Sequence, residues 1–246
     1  MNNSEVWDAR TRTLLGDRAV ERLSKARVAV VGTGGVGGYA VEALARSGVG
    51  NMLIIDADEV APSNLNRQLI ALHSTLGKNK VEIFAERCKD INPEIKIEAT
   101  AEFVTPENAS ELIGTDIDFV IDAIDTVAPK MAVIAHCLQN RIAIISSMGA
   151  GGRTDPAKIG YFDLSETRED GLARAVRQRM KKMGLRRNLK VVASTEAPHR
   201  NSVIELNERN KRSSFGTIIT IPAIFGLYLA NHVIMKLCGS SESDIN

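Results

Sequence analysis

Apolar and polar positions alternate in blocks along the chain. Arg27–Val31 (RVAVV) is a compact apolar run of the kind that forms a buried strand, and it ends in GTGGVGG. Tyr39–Ser47 (YAVEALARS) then carries apolar residues at helical spacing, and Met52–Ile55 is a second strand closed by Asp56. A polar loop, DADEVAPSNLNRQ, separates that strand from a predicted helix over about Lys78–Asp90. Further strands are predicted at Lys96–Ala99, Phe119–Ala123 and Ile142–Ser146, with a helix over Pro129–Asn140 before the last of them. Strands that alternate with helices predict an α/β fold, a mostly parallel sheet with helices on both faces.

The flanks read differently. Val6–Lys25 is helical and charged. After Gly149, GAGGRTDP is a glycine-rich connection and Asp155–Asp163 suits an edge strand. Leu172, Val176, Met180 and Met183 recur at steps of four, four and three, which predicts the apolar face of a helix; its other face is almost purely basic. Ser213–Met235 contains no Asp, Glu, Lys or Arg, long enough to resemble a membrane span. Gly216, Pro222, Gly226, Asn231 and His232 interrupt it, so a buried loop and then a core helix from about Pro222 is the better reading.

Composition adds limits. The 246 residues carry 31 Lys+Arg against 30 Asp+Glu and are 44% hydrophobic, which is ordinary for a globular protein and too apolar for disorder. Near-neutral net charge argues against wholesale coating of nucleic acid and leaves a local patch open. Cys88, Cys137 and Cys238 share no CxxC spacing, so no tetrathiolate zinc site is expected. Cys88 and Cys137 fall in predicted helices and suit buried thiols, whereas Cys238 is expected to be exposed. The leading MNNSEVWDARTR lacks an apolar core, and together with the cysteine usage this predicts a cytoplasmic protein.

The glycine loop is the first chemical signal. GTGGVG spans Gly32–Gly37, directly after a strand and at the opening of a helix. Gly32 permits a tight turn, Gly34 and Gly35 let backbone approach a phosphate, and Gly37 permits close helix–strand packing. Asp56 ends the next strand, placed for ribose hydroxyls. By itself this Rossmann-like pattern says nucleotide, with NAD the default and a ligand-free glycine turn the bland alternative. The following loop changes the balance. Asn64, Arg67 and Gln68 are packed into SNLNRQ, and Lys80 follows. An Arg and a Lys beside a phosphate loop are what a triphosphate requires, although either cation alone is commonly a solvated surface charge. Asp125 follows the strand FVIDA at the sheet edge where open α/β folds place ligands, and a carboxylate there suits Mg²⁺ bridging phosphates. Asp122, inside the strand, reads as structural.

GTGGVG, IDADEVAPSNLNRQ, GKNK and AIDT together resemble the ubiquitin-activating-enzyme-like superfamily, whose members use ATP to adenylate a carboxylate. The resemblance implies a single ThiF-type adenylation domain over 1–246: an N-terminal helical segment to about 25, a nucleotide-binding core over about 26–150, and a substrate and dimer region beyond. It implies that Gly32, Gly34, Gly35, Gly37, Asp56, Asn64, Arg67, Gln68, Lys80 and Asp125 bind ATP, with Asp125 on Mg²⁺. ARTRTLLG is similar to the superfamily's leading arginine segment, which implies that Arg10 (rather than Arg12) reaches a neighbouring subunit's γ-phosphate in a homodimer. Arg10, Arg67, Lys80 and Asp125 are then the catalytic set.

Carrier-protein-activating members usually have two CxxC pairs and often a catalytic cysteine; here the corresponding region reads STEAPHRN. LARSGVGNMLIID, INPE, FVTPEN, VIDAIDTVAPK, GAGGRTDP, VVASTEAP and IPAIFGLYLANHVI instead resemble the tRNA threonylcarbamoyladenosine dehydratase branch over nearly the whole chain. That resemblance implies ATP-dependent activation of the threonyl carboxylate of a modified adenosine in tRNA, followed by capture within the same side chain. It also admits a monovalent cation and a cysteine desulfurase or sulfur-acceptor partner. The alternative is adenylation of the C-terminus of a ubiquitin-like sulfur carrier.

A second signal is independent of the resemblance. Between Gly171 and Lys190 stand Arg174, Arg177, Arg179, Lys181, Lys182, Arg186, Arg187 and Lys190, with no acidic residue. A solvated face normally mixes signs, so a single-sign stretch points to a polyanion, here tRNA. A merely soluble basic face or an anionic-membrane contact is the bland alternative. His73, His136, His199 and His232 show no metal-ligand spacing; His199, like Ser194, Thr195 and Glu196, is a weak candidate for substrate handling, and an ordinary surface histidine is the stronger reading.

Overall fold

The computed structural model describes residues 6–185, 188–208 and 211–239. The helical N-terminus is two helices, α1 (Ala9–Leu15) and α2 (Asp17–Lys25), separated by Gly16 at φ +82. Beyond them run β1 (Arg27–Val31), α3 (Gly37–Arg46), β2 (Asn51–Ile55), α4 (Lys80–Ile91), β3 (Lys96–Thr100), α5 (Ala109–Ile113), β4 (Phe119–Asp122), α6 (Val127–Asn140) and β5 (Ala143–Ser147). The C-terminal third adds β6 (Ile159–Asp163), α7 (Gly171–Lys182), β7 (Lys190–Ser194), the hairpin β8 (Val203–Glu208) and β9 (Lys211–Phe215), and α8 (Thr220–Leu237).

Seven strands form one sheet in the order β3-β2-β1-β4-β5-β7-β6. All neighbours are parallel except β6, which runs antiparallel along β7 at the edge. The doubly wound α/β expectation and the edge strand are both borne out. Strand order reverses between β1 and β4, and in such sheets ligands bind in the crevice outside the carboxyl ends of the strands that flank the reversal.

Alternate side chains of the central strands fill two layers. Val28, Val30, Met52, Ile54 and Ile121 face α3, α4 and α8, whereas Ala29, Val31, Leu53, Ile55 and Val120 face α5 and α6. Both faces being covered explains why these strands read as unbroken apolar runs rather than alternating ones. A third cluster, from Met131, Ile134 and Leu138 of α6 and Ala173, Val176 and Met180 of α7, covers the outer strands.

α8 is long and apolar enough to cross a membrane by length and composition, and here it is a core helix. Ile221, Phe225, Leu229, Ala230 and Val233 are buried against the sheet and α3. Gly226 makes the approach possible: a Cβ there would lie 2.2 Å from the Val36 carbonyl oxygen of α3's first turn. Three expectations are corrected. The segment before α8 is not a buried loop, since Ile218 and Ile219 are exposed and Gly216 pairs with Gly152 and Ser202 instead of entering the core. Met183 does not extend the apolar face of α7: the helix ends at Lys182, Gly184 follows at φ +69, and Met183 is half exposed. Cys238 is buried, because α8 runs to Leu237 and Arg22 of α2 closes over its end with a 2.7 Å hydrogen bond to the Cys238 carbonyl.

Candidate nucleotide site

The crevice at the β1–β4 reversal is where the glycine loop sits. Gly32 follows β1 at φ +86, a conformation that favours glycine, and a Cβ there would meet the Ala123 carbonyl at 3.0 Å. A Cβ on Gly37 would lie 1.8 Å from the Gly32 carbonyl oxygen, so only glycine lets the helix start this close to the strand. Gly34 and Gly35 stand open toward the SNLNRQ loop: a Cβ on Gly34 would be 3.7 Å from Gln68 Nε2, and one on Gly35 3.4 Å from Arg67 Cγ. Two residues that the sequence singled out beyond Asp56 therefore converge on the phosphate loop.

Asp56 leaves the end of β2 and ties this loop down. Its Oδ2 accepts the Thr33 amide at 2.6 Å and the Thr33 hydroxyl at 3.0 Å, and its Oδ1 accepts the Asp58 amide. Lys80, the first residue of α4, is buried, which excludes the solvated-surface reading for this side chain. Its ammonium lies 2.7 Å from Asp58 Oδ2 and 4.0 Å from Asp56 Oδ1. Asp58 was missed by sequence reasoning; the signal available was only that an acid stands two residues beyond Asp56. Asn64 is buried as a cap, its Oδ1 accepting the Ala61 amide of the turn that aims the loop. Arg67 is half-buried, with Nη1 held by the Ser63 carbonyl and Asn66 Oδ1.

Gln68 carries the plainest mark of a ligand. It is buried, and among the described residues its Oε1 has no hydrogen-bond partner. A buried orphan acceptor costs about 1–3 kcal/mol, so its retention beside a glycine loop fits a hydroxyl or amino donor of a nucleotide.

Asp125 follows β4 on the other side of the reversal and is exposed at the mouth. Its loop is set from below. Asp122, at the end of β4, accepts the Ile124 amide through Oδ1, while Oδ2 accepts from Lys130 Nζ at 2.6 Å and Ser146 Oγ at 2.6 Å. Lys130 Nζ also reaches Ser146 Oγ and the Ser147 carbonyl, and both charged side chains are fully buried. The structural reading of Asp122 is correct. Lys130 was missed, although a lone cation inside the apolar run of α6 was its signal. Among the described residues no group of three His, Cys, Asp or Glu side chains gathers to hold a metal. One exposed carboxylate just beyond β4, on the far side of the strand-order reversal from the glycine loop, fits Mg²⁺, which keeps several waters and is bound mainly through substrate phosphates.

Arg10 lies on the exposed surface of α1, whereas Arg12 is committed to Asp8 and Asp17. The predicted basic patch is only partly assembled. Arg174, Arg179, Lys181 and Lys182 share the exposed side of α7. Arg177 does not join them: its Nη1 donates to the Leu164 and Thr167 carbonyls and to the Thr167 hydroxyl, so it holds the turn before α7. Lys190 lies over the Tyr161 ring, 5.8 Å from its centre, on the α8 side of the sheet and thus on the face opposite α7. Arg186 and Arg187 lie outside the described residues.

A glycine loop, an orphaned acceptor, buried and half-buried cations and a carboxylate at the strand-order reversal define a nucleotide-binding α/β protein built for a polyphosphate. The chain belongs to the ThiF family, whose model matches residues 9–246. It is 39% identical over 255 residues to a tRNA threonylcarbamoyladenosine dehydratase of Escherichia coli, covering 95% of both chains. It is likewise 39% identical to the tRNA threonylcarbamoyladenosine dehydratase of Bacillus subtilis over 242 residues, again with 95% of each covered. The crystal structure of the Escherichia coli dehydratase in complex with ATP superposes with a TM-score of 0.87 at 37% identity, over 97% of this chain and 98% of that one.

Proposed function

We propose that this protein dehydrates N6-threonylcarbamoyladenosine in tRNA, using ATP to activate the threonyl carboxylate. The observation that carries this reading is the likeness to dehydratases along the whole chain, C-terminal third included, on a site whose glycine loop and cations suit a triphosphate. The backbone amides of Gly32–Gly37 cradle the phosphates, and the start of α3 adds its partial positive charge. Arg67 and Lys80 offset the phosphate charge, Gln68 Oε1 takes a donor from the nucleoside, and Asp56 and Asn64 hold the loops that frame it. Asp125 would hold Mg²⁺, and the ion when bound would supply positive charge to the phosphates. Arg10 reaches the γ-phosphate held by a second copy, making the working unit a homodimer in the cytoplasm.

A carboxylate oxygen attacks the α-phosphorus and pyrophosphate leaves. The tethered carbamoyl group then attacks the activated acyl carbon and AMP departs, so the net change is a closed ring and one lost water. A tethered nucleophile has a high effective molarity, about 10⁵–10⁸ M in well-oriented cases, and no enzyme thiol is required. The exposed cations of α7 position the tRNA through its phosphates. Incubation of tRNA bearing threonylcarbamoyladenosine with Mg·ATP and this protein is the test. The expected result is an ATP-dependent loss of one water mass from the nucleoside, abolished in Arg67→Ala and Asp125→Ala. An unchanged mass with ATP bound would move the reading to a ubiquitin-like carrier protein as substrate.

A further inference from the structure

A cavity and a histidine on its wall stand beside the nucleotide site and take no part in it. The cavity, of about 380 Å³, lies between the Gly152–Thr154 segment and the Gly216–Ile218 segment, with His199 and Ser202 on its wall. It adjoins the nucleotide loop directly: Asn66 Nδ2 donates to the Thr217 carbonyl at 2.9 Å, and Pro222 Cβ lies 3.4 Å from where a Gly35 Cβ would stand. That volume sits at the low end of small-molecule sites, about 300–1,000 Å³, and suits an amino-acid-sized acyl group rather than a whole nucleoside.

His199 is fixed on this wall by its backbone. Its amide donates to the Gly152 carbonyl at 2.8 Å, and its own carbonyl accepts from the Ser202 amide at 3.0 Å and the Ser202 hydroxyl at 2.6 Å. The ring is exposed at the rim, with Nε2 3.5 Å from Glu196 Oε1 and 3.4 Å from Thr154 Oγ1. Nδ1 makes no hydrogen bond among the described residues and is left to take a proton. Glu196 is buried and pinned: its carboxylate accepts the Thr154 amide at 3.1 Å and the Asp155 amide at 2.9 Å. Burial works to raise the Glu196 carboxyl, but these amides, the Thr154 hydroxyl and the His199 charge outweigh it and hold the group below the usual carboxylate range. A carboxylate that stays ionised behind a histidine fixes the ring's tautomer and stabilises the imidazolium.

Resting on the dehydratase reading above, we propose that this cavity seats the threonylcarbamoyl group and that His199, oriented by Glu196, is the general base of ring closure. The carbamoyl group bonds to the acyl carbon, the bond from that carbon to the phosphate oxygen breaks, and AMP leaves with that oxygen and its electron pair. The N–H proton that the carbamoyl group sheds passes to Nδ1 of His199. The other charged groups around the ring do not compete for it. Arg153 is permanently cationic and is buried on the Gly149, Glu169 and Glu196 carbonyls and Asp170; Asp155 faces Lys158.

The test separates ring closure from ATP use. Single-turnover reactions with threonylcarbamoyladenosine-bearing tRNA and Mg·ATP are followed for cleaved ATP and for the dehydrated nucleoside between about pH 5 and 8, where an imidazole titrates. In His199→Gln the nucleoside should form about 10²- to 10⁴-fold more slowly, while one ATP per site is still cleaved at the wild-type rate. Added imidazole should restore product in His199→Ala, and Glu196→Gln should slow formation of the nucleoside while ATP is still cleaved at the wild-type rate. Product formation by His199→Gln within about twofold of wild type, with an unchanged pH profile, overturns the assignment. So does joint loss of ATP cleavage and product without imidazole rescue, which marks a structural role. A wild-type protein that makes no dehydrated nucleoside at all refutes the underlying dehydratase reading instead.

Discussion

Replacing Lys130 with Met tests whether the floor of the site is held by a buried ion pair. Lys130 Nζ lies 2.6, 3.0 and 2.9 Å from Asp122, Ser146 and the Ser147 carbonyl, and neither Lys130 nor Asp122 is exposed at all. Without the ammonium, Asp122 keeps, among the described residues, the Ser146 hydroxyl and the Ile124 amide as donors. A buried charge left in that state costs about 3–5 kcal/mol, against a total stability of about 5–15 kcal/mol for a typical globular protein. Urea unfolding followed by far-ultraviolet circular dichroism measures the loss. The control is Asp122→Asn in the Lys130→Met background, which removes the orphaned charge and should recover at least about 1 kcal/mol. A Lys130→Met loss below about 1 kcal/mol, or a double variant as unstable as the sum of the two single ones, would refute the reasoning.

Other outcomes follow from single features of the structure. Burial pushes the thiols of Cys88 and Cys137 up to about 12, so an alkylating reagent at about pH 8 should label neither until urea is added. Because the folded state keeps those protons while the unfolded thiols lose theirs near about 8.5, stability should fall as pH rises from there toward about 12. Gly37→Ala, whose Cβ would overlap the Gly32 carbonyl, should cost about 1–3 kcal/mol and weaken ATP binding in calorimetry; Gly171→Ala, with open space around it, should do neither. Lys181→Ala with Lys182→Ala should weaken tRNA binding and flatten the log–log salt dependence by about one for each phosphate no longer neutralised, whereas a salt-insensitive affinity would remove α7 from the tRNA surface.

Much of this architecture was legible because the sheet is buried on both faces: strands such as RVAVV and FVIDA stand out as apolar runs, and the glycine loop fixes which one is first. The phosphate-loop neighbours Arg67 and Gln68 were legible too, since both stand in one polar loop after β2, and that loop brings them to Gly35 and Gly34. Interactions that depend on three-dimensional closure were not. Asp58 takes the Lys80 ammonium from 22 residues away, and Lys130 reaches across β4 and β5. The basic stretch misled where strand geometry intervenes: Lys190 begins a strand, where alternation sends it to the sheet face opposite α7. Arg177 shares a helix with the exposed cations, yet the turn carbonyls before α7 claim its guanidinium. Met183 fits the periodicity but stands one residue before Gly184, whose positive φ marks the end of α7.

Activation of the threonyl carboxylate by ATP is tested most directly by following that carboxylate's oxygen. Transfer RNA whose threonylcarbamoyl carboxylate carries heavy oxygen is incubated with the protein and Mg·ATP, and the nucleotide products are weighed by mass spectrometry. The expected result is one heavy oxygen in the phosphate of AMP for each dehydrated nucleoside formed. Dehydrated nucleoside that keeps one heavy oxygen in its ring carbonyl, with the other found in water and none on phosphate, would contradict activation of the carboxylate at this site.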